Sequence, residues 1–410
     1  MIASTPPMGW NSWDCWGAAV TEDTVRENAR IMAEKLNKYG WEYVVVDIEW
    51  YQPTATTHDY IPFAALSMDE YGRLVPAVSK FPSAASGKGF QPLADYIHSL
   101  GLKFGIHIMR GLPRQAAAAH LPIYGGKGQC DVAANPNSIC AWNPDMYGLK
   151  CDTPDAKAYY ESIFRLYAEW GVDYVKCDDI AREYPHCKRE IELISEACRT
   201  CGRDIVLSLS PGPAPLAEAE HLKANANLWR ITDDFWDEWR LLKGMFEKAR
   251  DWCIHAGPGH WPDADMLPVG ALRQDYDPED RTRFTESEQR TMMSLWCMMR
   301  SPLMIGGELS KLDAFTEALL TNQRLLAIEK NSWCAHPVTT TDEESIWVAP
   351  KKDGCGCYLA LFNLSEAPRE MTTPEIGGTA IEIWSGTKAN GNRFTVAPHD
   401  VLLFDVSPSA

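Results

Sequence analysis

Acidic side chains gather at the ends of a few short apolar runs in this chain. Asp47 and Glu49 follow YVVV (43–46), Lys176, Asp178 and Asp179 close YVKCDD (174–179), Arg230, Asp233 and Asp234 close LWRITDD (228–234), and Asp265 ends the run from His260. Charges rarely border buried apolar segments unless they are paired or used. Two facing carboxylates suit hydrolysis of a glycosidic bond: one attacks the anomeric carbon or activates water, and the other, kept protonated, gives its proton to the leaving oxygen. Lys176 beside Asp178 would hold that acid ionised and touch substrate. For a single acid, a rim salt bridge is the better explanation; acids repeated at three or more strand ends favour a site.

Sugars also present apolar C–H faces that stack on indole, and the chain has 16 tryptophans. Trp10, Trp13, Trp16, Trp50 and Trp261 are expected in the loops beside these acids. Metal catalysis competes poorly. Barrel metallohydrolases want clustered histidines, whereas KFGIHIM (103–109) supplies His107 alone and His255 and His260 lack ligand spacing. No metal and no organic cofactor is expected. His107 is either a hydrogen-bonding partner of the sugar or a satisfied core residue.

The elements that must position these groups alternate. YVVVDI (43–48), KFGIHIM (103–109), YVKCDD (174–179), IVLSLS (205–210) and LWRITDD (228–234) read as buried strands. Helical patterns lie between and after them. Val25, Ala29, Met32 and Leu36 share one face of 21–39, with Thr21 as cap and Gly40 as stop. Residues 154–170 begin with Thr153 and Pro154, 286–300 open on a capping box from Thr285 to Glu288, and 313–329 form one more helix. With further strands near Pro7–Trp10, His260–Leu267 and Leu303–Gly306, eight strand–helix units fit a (β/α)8 TIM barrel. A doubly wound sheet is the alternative, but no glycine-rich phosphate loop follows any strand.

After Asn331 the helical pattern stops. SIWVAP, CYLALFNL, AIEIW and DVLLFDV are strands separated by turn residues, which predicts a C-terminal antiparallel β-sandwich domain. The expected domains are therefore a catalytic barrel over 1–331 and a β domain over 332–410. Strand alternation sorts the acids. Lys176 and Asp178 share one face, as do Arg230, Thr232 and Asp234, so Asp178 and Asp234 are the inward candidates.

Composition narrows the partners. A net charge of −17 argues against nucleic acid and anionic membranes. No run of about 18 apolar residues could span a bilayer, and MIASTPPMGWNSWDCW does not read as a signal peptide, so a cytoplasmic location is expected. Thirteen scattered cysteines do not suggest a disulfide framework. Cys198 and Cys201 form a lone CxxC, a weak zinc signal.

Five motifs in order resemble glycoside hydrolase family 27, the α-galactosidase and α-N-acetylgalactosaminidase family of the melibiase clan: PPMGWNSWDCW, VVVDIEWY, YVKCDD, WRITDDFWDEW and GHWPDADML. The resemblance covers the barrel and, loosely, the C-terminal domain. It implies a retaining exo-glycosidase that forms a covalent glycosyl-enzyme on Asp178, with Asp234 as general acid/base. It further implies that Lys176 and Arg230 bind substrate, that Trp13 stacks on the sugar, and that Asp47 faces the axial 4-hydroxyl side of galactose. Asp265 falls on an acid of the family's P-D-M motif, with its role left open. The implied partner is a small-molecule or oligosaccharide glycoside, and family members often form dimers or larger homo-oligomers.

Two departures bear on specificity. Galactosidases of the family usually carry two successive acids at the second strand, the second reaching the 6-hydroxyl; here that position is Ile48. An isoleucine suits β-L-arabinopyranose, which is galactose without its hydroxymethyl group, unless Glu49 or a loop residue supplies the contact. In IVLSLSPGPAP, Ser210 stands where galactosidases tend to carry a glutamate, and a small residue there points to an N-acetylgalactosaminidase. Ile180 and Glu49 occupy positions where secreted members often carry cysteine. A catalytically silent sugar-binding protein is the alternative from another class.

Overall fold

The computed structural model describes residues 1–184, 186–373 and 378–408. Eight parallel strands alternate with helices over the first 331 residues: β1 (Met8–Asn11), β2 (Tyr43–Val46), β3 (Lys103–Met109), β4 (Tyr174–Asp178), β5 (Val206–Leu209), β6 (Leu228–Arg230), β7 (Trp261–Asp263) and β8 (Leu303–Ile305). They form one sheet in the order β7-β6-β5-β4-β3-β2-β1-β8. The ring closes just beyond β7, where Leu267 bridges in parallel to Ile305. The Leu267 amide donates to the Met304 carbonyl at 2.8 Å, and the Gly306 amide donates to the Leu267 carbonyl at 2.9 Å. This is a TIM-barrel arrangement.

The helices form where the sequence supplies their ends. The helix after β3 and its loop (Pro154–Glu169) starts with the Thr153 hydroxyl accepting from the Ala156 amide and proline in its first turn. The helix after β7 (Glu286–Met299) carries the full Thr285–Glu288 capping box. The helix after β1 (Glu22–Ile31) runs on through wider and tighter turns until Gly40, at φ 106°. The single helix expected over 313–329 is instead two, Ala314–Leu320 and Gln323–Asn331. Asn322 is the reason: its side chain caps the second helix by accepting from the Leu325 amide.

Alternation along the strands stacks the barrel interior in layers. Tyr43, Val45, Tyr174, Val206, Leu228, Trp261 and Met304 form an apolar plug. The next inward residues, in or just past the same strands, are polar: Asp47, Lys176 and Asp178, Ser208, Arg230, Asp263. Gly105 makes room for this plug, since a Cβ there would lie 3.0 Å from that of Tyr174. Two long loops rise above the polar layer. Residues 47–90 follow β2, and residues 110–150 follow β3 with a small antiparallel sheet of their own.

The C-terminal segment forms a five-stranded antiparallel sheet and a two-stranded ribbon. Its strands are β9 (His336–Thr340), β10 (Glu344–Pro350), β11 (Cys357–Asn363), β12 (Arg369–Thr372), β13 (Gly378–Glu382), β14 (Arg393–Val396) and β15 (Val401–Pro408). Met371 and Val396 of the ribbon cover one sheet face at Ile346, Leu359, Leu361 and Phe404. The other face, with Trp347, Ala360, Phe362 and Leu403, joins the barrel core. There Phe362 meets Phe246 at 4.9 Å between ring centroids, and His399 stacks on Trp239 at 3.8 Å. No helix among the described residues is long and apolar enough to cross a membrane.

Candidate active site

At the C-terminal ends of the barrel strands lies a cavity of about 260 Å³. Trp13, Asp47, Ile48, Lys176, Asp178, Arg230, Asp234 and Asp265 all line it, as the sequence led us to expect. Asp47, Lys176, Asp178 and Asp265 are each held by a partner far away in the chain. Lys176 Nζ pairs with Asp47 Oδ2 at 2.8 Å, and Asn11 Nδ2 donates to the same oxygen at 2.7 Å. His107 Nε2 lies 3.0 Å from Asp178 Oδ2. Arg230 Nη2 bridges Asp265 Oδ2 at 2.7 Å and Asp234 Oδ1 at 3.1 Å.

These contacts set the charges. Burial alone would raise the Asp178 carboxyl, but the His107 hydrogen bond and the nearby Lys176 and Arg230 outweigh it and hold it well below the usual carboxylate range. Burial would likewise raise Asp47 and lower Lys176; their mutual attraction wins at both. At Asp265 burial wins, helped by Asp234 and Asp263, and its carboxyl is pushed up to about 6 despite Arg230. Asp234 differs from all of these in place: its side chain is 60% exposed, at the rim.

Several expectations need correction. β6 stops at Arg230, so strand alternation does not place Asp234. A bend over 231–233 does, and it sends Asp233 outward to Arg182 at 2.8 Å. His107 does not reach the cavity. It is fully buried, pairs with β4, and orients Asp178 from behind. Ser210 is also fully buried; its backbone is spent on Cys177, Ile180 and Ala181, and Pro211 lines the cavity in its place. Glu49 turns away as well. It is buried against Asn143 at 3.1 Å, and burial with the neighbouring Asp145 pushes its carboxyl up to about 7 against the pull of Lys80. Trp10, Trp50 and Trp261 are fully buried core residues whose indole N–H groups donate to the carbonyls of Gly307, His107 and Ala3. Trp16 packs half-buried against the core and does not line the cavity.

Sequence reading missed Asp14, Tyr60, Trp142, Arg182, Phe235, Trp236 and Met266, which complete the lining. Tyr60 stacks on Trp13 at 5.9 Å and Trp142 tilts against Tyr60 at 5.6 Å. Both sit in long irregular loops, where no periodicity marks a side chain's direction. Aromatic residues in unusually long loops after barrel strands were the available signal. Among the described residues no cluster of three His, Cys, Asp or Glu could hold a metal ion.

The family model described as alpha galactosidase A matches residues 5–152 and 143–331. A structure of a family 27 β-L-arabinopyranosidase from Geobacillus stearothermophilus, in complex with arabinose, is 50% identical, with a TM-score of 0.96 over 100% of this chain and 98% of that one. An alpha-galactosidase of Coffea arabica is 31% identical over 90% of this chain and 82% of its own length. One from Cyamopsis tetragonoloba is 29% identical over 90% and 75%.

Proposed function

The chain belongs to the alpha galactosidase A family, glycoside hydrolase family 27, and from that premise we propose that it is a retaining exo-glycosidase of terminal β-L-arabinopyranosides, with α-D-galactopyranosides as slower substrates. The observation that carries the specificity is at Ile48. Its side chain lines the cavity at the position that the family resemblance gives to the acceptor of a hydroxymethyl oxygen, and Glu49, the acid next to it in the chain, is packed into the core on Asn143. The arabinopyranosidase activity of the Geobacillus relative at 50% identity supports the same choice.

In this reading Asp178, ionised and aimed by His107, attacks the anomeric carbon and forms the glycosyl ester. Asp234, exposed at the rim and tethered by Arg230, protonates the leaving oxygen and then takes a proton from water. Asp47, Lys176 and Arg230 bind hydroxyls, and Trp13, braced by Tyr60, stacks under the ring. The cavity lies just below the range of about 300–1,000 Å³ common for drug-sized ligands, which suits one terminal sugar. Residues 1–331 carry this chemistry, the described part of 332–410 packs on the barrel, and the enzyme acts in the cytoplasm on imported glycosides. The acetamido-sugar reading depended on room at Ser210, which lies buried behind the wall.

Initial rates on three aryl glycosides test the proposal: β-L-arabinopyranoside, α-D-galactopyranoside and α-N-acetylgalactosaminide. The arabinoside is expected to give the highest kcat/KM. Preference for the galactoside would overturn the role of Ile48, and turnover of none would overturn the enzyme assignment in favour of sugar binding alone.

A further inference from the structure

Among the described residues, every carboxylate around the cavity has a partner except one. Asp47 has Lys176 and Asn11, Asp178 has His107, and Asp265 has Arg230 and the Phe235 amide. Asp14 lines the same cavity, is only 3% exposed, and neither of its carboxyl oxygens has a hydrogen-bond partner among the described residues. Oδ2 is sealed off without one. It lies where a Cβ on residue 306 would approach to 2.0 Å, so Gly306 at the end of β8 is what leaves space for this group. The position is rigid. Asp14 sits in a single helical turn, Trp13–Trp16, directly after Trp13, and the Arg273 amide donates to its carbonyl at 2.8 Å.

We propose that Asp14 stands in the cavity as a neutral carboxylic acid and donates a hydrogen bond to an oxygen of the bound pyranose, making it a further substrate-binding contact. The inference rests on the glycosidase reading above. An ionised Asp14 would be a buried charge with no hydrogen bond or ion pair to hold it, an arrangement that burial strongly disfavours. The charged groups around it are Asp265, Asp234 and Asp47, which oppose ionisation, and Lys176, which favours it; burial is the largest influence, and together they raise the carboxyl well above its ordinary range. A protonated carboxyl offers one O–H donor. The other strong donors of the floor, Lys176 and Arg230, are already shared with Asp47 and with Asp265 and Asp234. A sugar hydroxyl is donor and acceptor at once, so a donor of this kind completes its pairing.

Calorimetric binding of L-arabinose and D-galactose to wild type, Asp14→Asn and Asp14→Ala across a pH series tests this, with thermal melts to confirm folding. Asparagine keeps a donor in the same shape, so it should bind within about threefold of wild type, whereas alanine should lose about tenfold. Wild-type affinity should fall as pH rises through the raised Asp14 pKa, because the donor is lost, and Asp14→Asn should lack that fall. Equal affinity and identical pH dependence in all three proteins overturns the proposal. So does an asparagine variant as weak as alanine, which would mean that a carboxylate is needed. If alanine does not fold, the asparagine pH profile decides alone. Wild type that binds sugar but turns over no aryl glycoside sinks the glycosidase reading while the same titrations still decide Asp14; wild type that binds neither sugar sinks both.

Discussion

β4 in the barrel and β11 in the C-terminal sheet are both central strands with neighbours on each side. Both are almost wholly buried, yet β11 reads CYLALFN and β4 reads YVKCD. β11 gives its positions to packing: Leu359, Leu361 and the ribbon on one face, Tyr358, Ala360 and Phe362 on the barrel side. β4 surrenders two inward positions to charge. Lys176 and Asp178 cost free energy on burial, offset only because Asp47 and His107 reach them from β2's end and β3. One strand is built for cohesion and, in the function proposed above, the other serves chemistry, and substitutions should separate the two.

The largest separation is expected from Asp178→Asn. It should lower kcat by about 10⁴-fold or more on an aryl β-L-arabinopyranoside, while a thermal melt stays within a few degrees of wild type. Asp234→Asn should be comparably damaging for poor leaving groups and milder for activated aryl ones, which need less protonation. Retained activity in Asp178→Asn would remove β4 from the chemistry.

Phe362→Ala in β11 should do the reverse. Emptying a fully buried aromatic site costs about 3–5 kcal/mol in chemical unfolding, with kcat per folded molecule unchanged. A drop in kcat would show that the two regions are coupled across the Phe246 contact.

A smaller effect sharpens the specificity argument. Ile48→Asp should move the galactoside-to-arabinoside ratio of kcat/KM toward galactoside by about 10–100-fold. The smallest concerns pH. His107 helps hold Asp178 below its ordinary pKa, so the carboxylate stays ionised below the usual carboxylate range. His107→Ala raises the Asp178 carboxyl, and the acidic limb of the kcat/KM profile should move to higher pH, with the basic limb unmoved.

Much of the barrel was legible because strand runs and helix caps are local signals. Thr153, Thr285 and Gly40 do in the structure what their types suggested. Asp178 could be picked over Asp179 because β4 extends through it, and Asp179 departs with φ 60° to pair with Arg110. Asp234 was chosen by the same alternation, although its strand had ended; its place in the cavity comes from a bend that alternation does not describe. The tryptophans were read least well. Indoles near strand ends are equally suited to core and rim, and three of the five named are core.

Residue type and spacing along a few turns of chain suffice to set the order of strands and helices, the acids at their ends and the isoleucine at 48. Tertiary structure alone decided which groups share a cavity. It turned Glu49 and Ser210 away, set His107 behind Asp178, brought Tyr60 and Trp142 over Trp13, and left Asp14 without a hydrogen-bond partner among the described residues. Those outcomes depend on burial and on partners up to hundreds of residues apart, and both come into being only when the barrel closes.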